Sequence, residues 1–146
     1  METKLLWEKE TLFDHYVATH PRGDVLQTTN WGKLKSSSGW DYYPLGVLEG
    51  GTLHAAALIL IKKLPILPAT IAYSPRGPLF TSTEGLAALL QGTNKLLKSK
   101  GALVWKMDPA ILHDDELWPK LVKAHKLTWV DTGLDFQGVT APCHDF

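Results

Sequence analysis

The order of apolar periodicities along the chain predicts an α/β (α+β) domain, a mixed and mostly antiparallel sheet with helices on both faces. Three observations carry this. Segments of strand character alternate with segments of helical period, in the order β-α-α-β-β-β-α-β-α-β. Two of the strands are joined by the pair Gly50-Gly51, a hairpin signal. The stretch Ala55 to Ile61 is continuously apolar, as in a strand covered on both sides.

Taken in order, "KLLW" (Lys4 to Trp7) is a short apolar strand. In "ETLFDHYVATHP" the residues Leu12, Phe13, Tyr16 and Val17 share one helical face, and Pro21 stops the helix. A shorter helix fits Thr29 to Ser36, with Thr28 or Thr29 as its cap. The stretch "WDYYPLGVLEGGTLHAAALILIKKL" then reads as the hairpin, and "ATIAYS" (Ala69 to Ser74) as a strand closed by the corner Pro75-Arg76-Gly77-Pro78. Thr81 followed by Glu84 makes a capping box for a long helix, whose buried side is Leu86, Leu89, Leu90, Leu96 and Leu97 and which Gly101 ends. "ALVWKMD" is a buried strand leading to Pro109, "HDDELWPKLVKAH" a helix with acids at its N-terminal end, and "LTWVD" a last strand. The tail "GLDFQGVTAPCHDF" has no regular period, and no strand is assigned to it.

At 146 residues the chain reads as one domain, 1–146, long enough to bury a core. Fifteen basic residues balance fifteen acidic ones, so no overall field gathers nucleic acid or anionic lipid. The single cysteine, Cys143, cannot form an internal disulfide, which fits a reducing, cytoplasmic setting. There is no signal-peptide pattern, and the longest apolar run is too short for a transmembrane segment.

Three stretches could carry chemistry. In "LQTTNWGKLKSSSGW", helical spacing puts Lys35 about 40° from Trp31 and Lys33 on roughly the opposite side. Leu34 completes the apolar stripe with Trp31. Lys35 is then either a ligand cation at the rim of a cavity or a lysine that snorkels into water beside packed neighbours. In "YSPRGP" two prolines stiffen the corner that presents Arg76, which could fork onto a carboxylate or phosphate or simply pair with a surface acid. In "WKMDP", Lys106 and Asp108 point one way from a strand while Trp105 and Met107 point the other. Asp108 sits at the carboxyl end of that strand, where α/β sheets bind ligands, or where an aspartate caps the next segment. "HDDE" (His113 to Glu116) is explained by acids favouring a helix start rather than by a metal, and Cys143 with His144 lacks a carboxylate at usable spacing.

The element order matches the GNAT acyltransferase fold up to its sixth strand. The stretches "LQTTNWGKLKSSSGW", "AALILIKKLP", "IAYSPRGPLF" and "KMDP", in this order and spacing, resemble the FemABX family, the aminoacyl-tRNA-dependent transferases that build peptidoglycan interpeptide bridges. The resemblance runs from about Leu5 to Gln137. It implies a substrate cleft for a muropeptide precursor, UDP-linked or lipid-linked, with Lys35 at the diphosphate and Trp31 supporting its helix. It further implies that Tyr73, Arg76, Gly77 and Lys106 line the cleft, and that Asp108 stands near the reacting amine. No cofactor or metal is implied, since aminoacyl-tRNA is the co-substrate. Family members usually hold two GNAT-like halves, so the expectation is a first half whose tRNA-facing partner is a missing second domain or another chain. A location in the cytoplasm, peripheral at the inner membrane face, would suit such an enzyme. The pKa of a lysine ammonium exceeds that of an ordinary aspartate by about 6.5, so full proton transfer would cost about 9 kcal/mol. Asp108 is therefore expected to orient the ammonium, with the proton leaving through water or substrate oxygens, unless burial raises its pKa enough for it to act as the base.

Two other classes share these features. An acetyl-CoA-dependent acetyltransferase has the same fold, but Pro75 and Pro78 have no N–H to give a pyrophosphate, and no Gly-x-Gly follows Arg76. A non-catalytic half-domain that binds a precursor or a partner chain is the third possibility.

Overall fold

The computed structural model describes residues 1–109, 117–125, 128–130 and 138–142. In chain order the elements are β1 (Glu2–Leu5), α1 (Glu10–Thr19), α2 (Thr29–Ser36), β2 (Asp41–Glu49), β3 (Thr52–Lys63), β4 (Thr70–Arg76), β5 (Leu79–Phe80), α3 (Thr83–Ser99), β6 (Ala102–Pro109), α4 (Leu117–Ala124), β7 (Thr128–Val130) and β8 (Gly138–Pro142). They form one sheet in the order β1-β2-β3-β4-β6-β8-β7, with the short β5 paired to β3. β4 and β6 are parallel and joined through α3, while β2–β3, β3–β4, β6–β8 and β7–β8 are antiparallel.

Two strands go beyond the sequence reading. β8 lies in the tail to which no strand was assigned, and it fits between β6 and β7, where both edges supply hydrogen bonds. β5 is two residues long, too short to leave a period. The Gly50-Gly51 turn is as expected: both glycines have positive φ, 60° and 80°, and Glu49 pairs with Thr52 across them.

β3 separates two cores. Ala55, Ala57, Ile59 and Ile61 face α3 and join Leu86, Leu89, Leu97, Trp105 and Met107. Ala56, Leu58 and Leu60 face α1 and join Phe13, Val17 and Leu79. This alternation is why the strand reads as an unbroken apolar run. Trp105 and Met107 point to the α3 side, as the strand period requires.

Two local readings need correction. The cap of α3 is Ser82, whose hydroxyl accepts from the Gly85 N–H at 3.0 Å. Thr81 is instead tied to β3, giving both its N–H and its hydroxyl to the His54 carbonyl. Leu34 does not complete a buried stripe: it is 58% exposed, because α2 meets the sheet through Gly32 and Thr29. A Cβ on Gly32 would stand 2.5 Å from the Tyr42 ring, so only glycine allows this approach. Thr28 caps α2 through the Trp31 N–H, and Asp14 of α1 holds Thr29 by its N–H and hydroxyl at 2.8 and 2.6 Å. These bonds fix where α2 begins, and with it the helical register that places Lys35 beside Trp31.

Candidate functional site

The sheet face opposite α3 can be read as cross-strand rows. Tyr42, Leu60, Tyr73 and Lys106 are successive partners in one row; Pro75 and Asp108 share the row two residues further on. α2 covers Tyr42, and beyond it the face continues through Tyr73 to the exposed Lys106, whose ammonium lies 5.6 Å from the Tyr73 ring centre. In the opposite direction, Lys62 pairs with Ile71 and sets its ammonium 5.5 Å from the Trp40 ring.

Lys35 belongs to the same side. Its ammonium sits 5.6 Å from the Trp31 ring, and Trp31 packs against the α1-facing core. Such a ring holds a cation in place without neutralising it. Among the described residues no carboxylate lies within ion-pair reach of Lys35. Lys33 diverges as predicted and is occupied by Glu10 at 2.9 Å, which lowers the Glu10 pKa chiefly through that hydrogen bond. Trp40 follows directly from α2, its N–H bonded to the Lys35 carbonyl. The rows of Lys62 and Asp108 are thus separated by four residues along β4, roughly 13 Å.

At the far end, the Asp108 carboxylate is held by two donors. The Tyr73 hydroxyl donates to Oδ2 at 2.7 Å and the Arg76 N–H donates to Oδ1 at 2.5 Å. Burial, followed by the hydrogen bond and charge of Asp108, pushes the Tyr73 phenol well above its ordinary range, so Tyr73 remains a neutral donor. Arg76 has φ 59°, a left-handed backbone uncommon outside glycine, and that geometry aims its N–H at Asp108. Its guanidinium turns to Asp24, with Nε 4.0 Å from the carboxylate.

The end of β4 is open because the ladder to β3 stops at Leu60–Tyr73. Pro75 has no N–H, and the buried side chain of Gln27 fills the gap. Its amide NH2 donates to the Pro75 carbonyl at 2.7 Å, and its oxygen accepts from the Leu58 N–H at 2.9 Å. One side chain therefore replaces a ladder rung between strands that diverge. A Cβ on Gly77 would lie 2.4 Å from the Gln27 oxygen, so Gly77 makes room for this amide.

Of the sequence-predicted residues, Trp31, Lys35, Tyr73, Lys106 and Asp108 share this face. Arg76 contributes its backbone N–H to Asp108, and Gly77 is buried against Gln27. His113 to Glu116, Cys143 and His144 lie outside the described residues. Gln27 and Lys62 were missed. Gln27 sits in a 3-10 turn, Val25–Gln27, that carries no periodic signal.

This arrangement, a mixed sheet whose parallel pair β4–β6 is joined by a crossover helix and whose β3 and β4 part beyond Tyr73, is that of the GNAT-like acyltransferases. An N-acetyltransferase of Thermoplasma acidophilum, crystallised with coenzyme A, aligns over 97% of this chain and 99% of its own at a TM-score of 0.60 and 14% identity, a likeness of fold alone. The FemAB family profile matches residues 8–140, and the chain belongs to that family. The crystal structure of FemX aligns over 88% of this chain at a TM-score of 0.82 and 31% identity, covering 32% of FemX. A lipid II:glycine glycyltransferase of Staphylococcus aureus (strain bovine RF122 / ET3-1) is 36% identical over 100 residues, 67% of this chain and 24% of the relative. The chain thus spans about a quarter of the length of the curated relatives it matches.

Proposed function

We propose that the chain acts in peptidoglycan synthesis as the precursor-binding half of an aminoacyltransferase, which joins an amino acid to an amine of a muropeptide stem. One observation carries the reading: the cation Lys35 and the carboxylate Asp108 lie on one open face, with Tyr73 and Lys106 between. A precursor has its diphosphate at one end and its reactive amine several residues away along the stem peptide. The rows of Lys62 and Asp108 lie roughly 13 Å apart along β4, and a spacing of that size between cation and acid suits that shape better than it suits a single small ligand. Relatives that act on lipid II, and FemX itself, support the same class.

In the proposed reaction the amine nitrogen bonds to the ester carbonyl carbon of aminoacyl-tRNA. The carbon–oxygen bond to the tRNA ribose breaks, and the ribose oxygen leaves with the proton that the amine gives up. Asp108, fixed by Tyr73 and Arg76, has lone pairs left to accept from the ammonium and to aim its nitrogen, and the ammonium gives one proton to water before the free amine attacks. Lys35 would meet the diphosphate, with Lys106 along the stem. The tRNA-binding surface is assigned to a second domain or partner chain, at the inner membrane face.

Coenzyme A binding is the weaker reading. The N–H groups of Arg76, Gly77 and Thr81 are already taken by Asp108, Ser74 and His54, which leaves few for a pyrophosphate. Calorimetry with a UDP-linked muropeptide tests the proposal. Binding that weakens about tenfold in Lys35→Ala supports it; protection by acetyl-CoA with no muropeptide binding contradicts it. In the intact enzyme Asp108→Asn should lower precursor use, and unchanged kinetics would remove Asp108 from the site.

A further inference from the structure

At the end of the sheet where Lys35 stands, the β3–β4 connection carries two large apolar side chains in water. Ile66 is 94% exposed and Leu67 56%, although the loop is well tied. The Leu64 N–H bonds to the Ala69 carbonyl at 3.0 Å, and Pro65 and Pro68 stiffen the tip between. The loop is thus built to display these side chains.

Its base is ringed by cations. Lys62 and Lys63 end β3, and Lys100 ends α3, where the Thr70 hydroxyl holds its carbonyl at 3.1 Å. Trp40 backs Lys62 on one side of the sheet, and Tyr43 backs Lys100 on the other, 5.3 Å from the ammonium. A notch of about 300 Å³ opens between Lys63 and Lys100, floored by Leu67, Pro68, Ala69 and Thr70. Among the described residues, Asp41, opposite Ile61, is the acid at this end. None of these three lysines has a carboxylate within ion-pair reach there.

We propose that this loop docks the domain on an anionic phospholipid bilayer: Ile66 and Leu67 enter the acyl boundary while Lys62, Lys63 and Lys100 meet headgroup phosphates. The pattern is that of an apolar tip with basic residues one layer behind it, matching the depth order of a leaflet. A protein partner fits less well, because two side chains at a tip offer far less than the ~800 Å² per partner of a stable interface. Docking does not depend on the transferase reading. Its consequence, that the Lys35 end of the face would lie at headgroup level where a lipid-linked diphosphate sits, does rest on it.

The test is co-sedimentation of the chain with vesicles of phosphatidylglycerol and phosphatidylcholine (30:70) and with pure phosphatidylcholine vesicles. Binding should favour the anionic vesicles and weaken at high salt. Ile66→Ser with Leu67→Ser should cost at least about tenfold, and each of Lys63→Gln and Lys100→Gln about fivefold. Unfolding midpoints should not move, because the side chains are exposed. Failure to bind anionic vesicles, or equal binding by the serine double variant, overturns the proposal, as does a dimer that the double variant dissociates without altering vesicle binding. Soluble muropeptide calorimetry on the double variant separates the two readings, since docking can fail while that binding persists.

Discussion

On the α3 face of the sheet, Leu86, Leu89 and Leu97 close over Ala57, Ile59 and Trp105, and the indole N–H finds the Ser74 hydroxyl at 2.9 Å. On the opposite face α1 and α2 cover Leu58, Leu60 and Tyr42, the Val25–Gln27 turn packs on the end of β4, and among the described residues the row through half-buried Tyr73 runs on to exposed Lys106 beside Asp108. The long α3 finishes one face with apolar packing. The short α2 leaves the other to be held by polar contacts: Gln27 across the strand gap, Tyr73 and Arg76 on Asp108, His20 on Phe80. The polar groups of the candidate site gather on that side, and the contacts that hold them are where its stability is exposed to substitution.

The largest effect is expected at Gln27. Gln27→Leu would leave the Leu58 N–H and Pro75 carbonyl unpaired and buried, costing about 3 kcal/mol in urea unfolding. A loss near zero would mean that the open face does not depend on that amide. Tyr73→Phe removes one of two donors to Asp108, so about 1 kcal/mol should go, with a larger relative fall in transfer by the intact enzyme.

A smaller, pH-dependent term belongs to His20. The Arg22 N–H donates to its Nδ1 and its Nε2–H donates to the Phe80 carbonyl, a neutral tautomer. Burial lowers its pKa; the Phe80 bond opposes this and the Arg22 charge adds to it. Because the folded value is depressed, the stability it contributes is full above the unfolded value of about 6.5 and is lost as pH falls below that toward the folded value. His125, lowered by burial as well, has the same sign. His20→Gln and His125→Gln should each flatten part of the acid slope, leaving the part that Glu10 contributes. Smallest of all, Lys35→Ala should change stability by about 0.5 kcal/mol or less, the worth of an exposed cation over an indole, while still weakening muropeptide binding.

The apolar run of β3, the Gly50-Gly51 turn and the strand period that sends Lys106 and Asp108 one way are local signals, and each was legible in the residues. What was not legible is non-local. Ser82 replaces Thr81 as the α3 cap because β3 claims Thr81, and Leu34 stays exposed because Gly32 decides how α2 meets Tyr42. Gln27 acts 31 residues from Leu58 and 48 from Pro75, beyond any window of sequence. The prolines and glycine of "SPRGP" announced a corner there, without saying what would fill it. β8 was hidden because a five-residue strand between two others draws its order from their edges rather than from its own pattern. Tyr73, Lys106 and Asp108 were singled out one by one from the sequence; that they share a face follows from the register of β4 and β6.

That common face is tested most directly by an NMR titration of the labelled chain with a UDP-linked muropeptide. Perturbations should follow one line, from the Trp31 and Trp40 indoles past Tyr73 to the amides of Arg76 and Asp108, and should spare Leu86 to Leu97 of α3. Shifts confined to Thr81 through Gly85 at the start of α3, with the tryptophan–aspartate line silent, would contradict it.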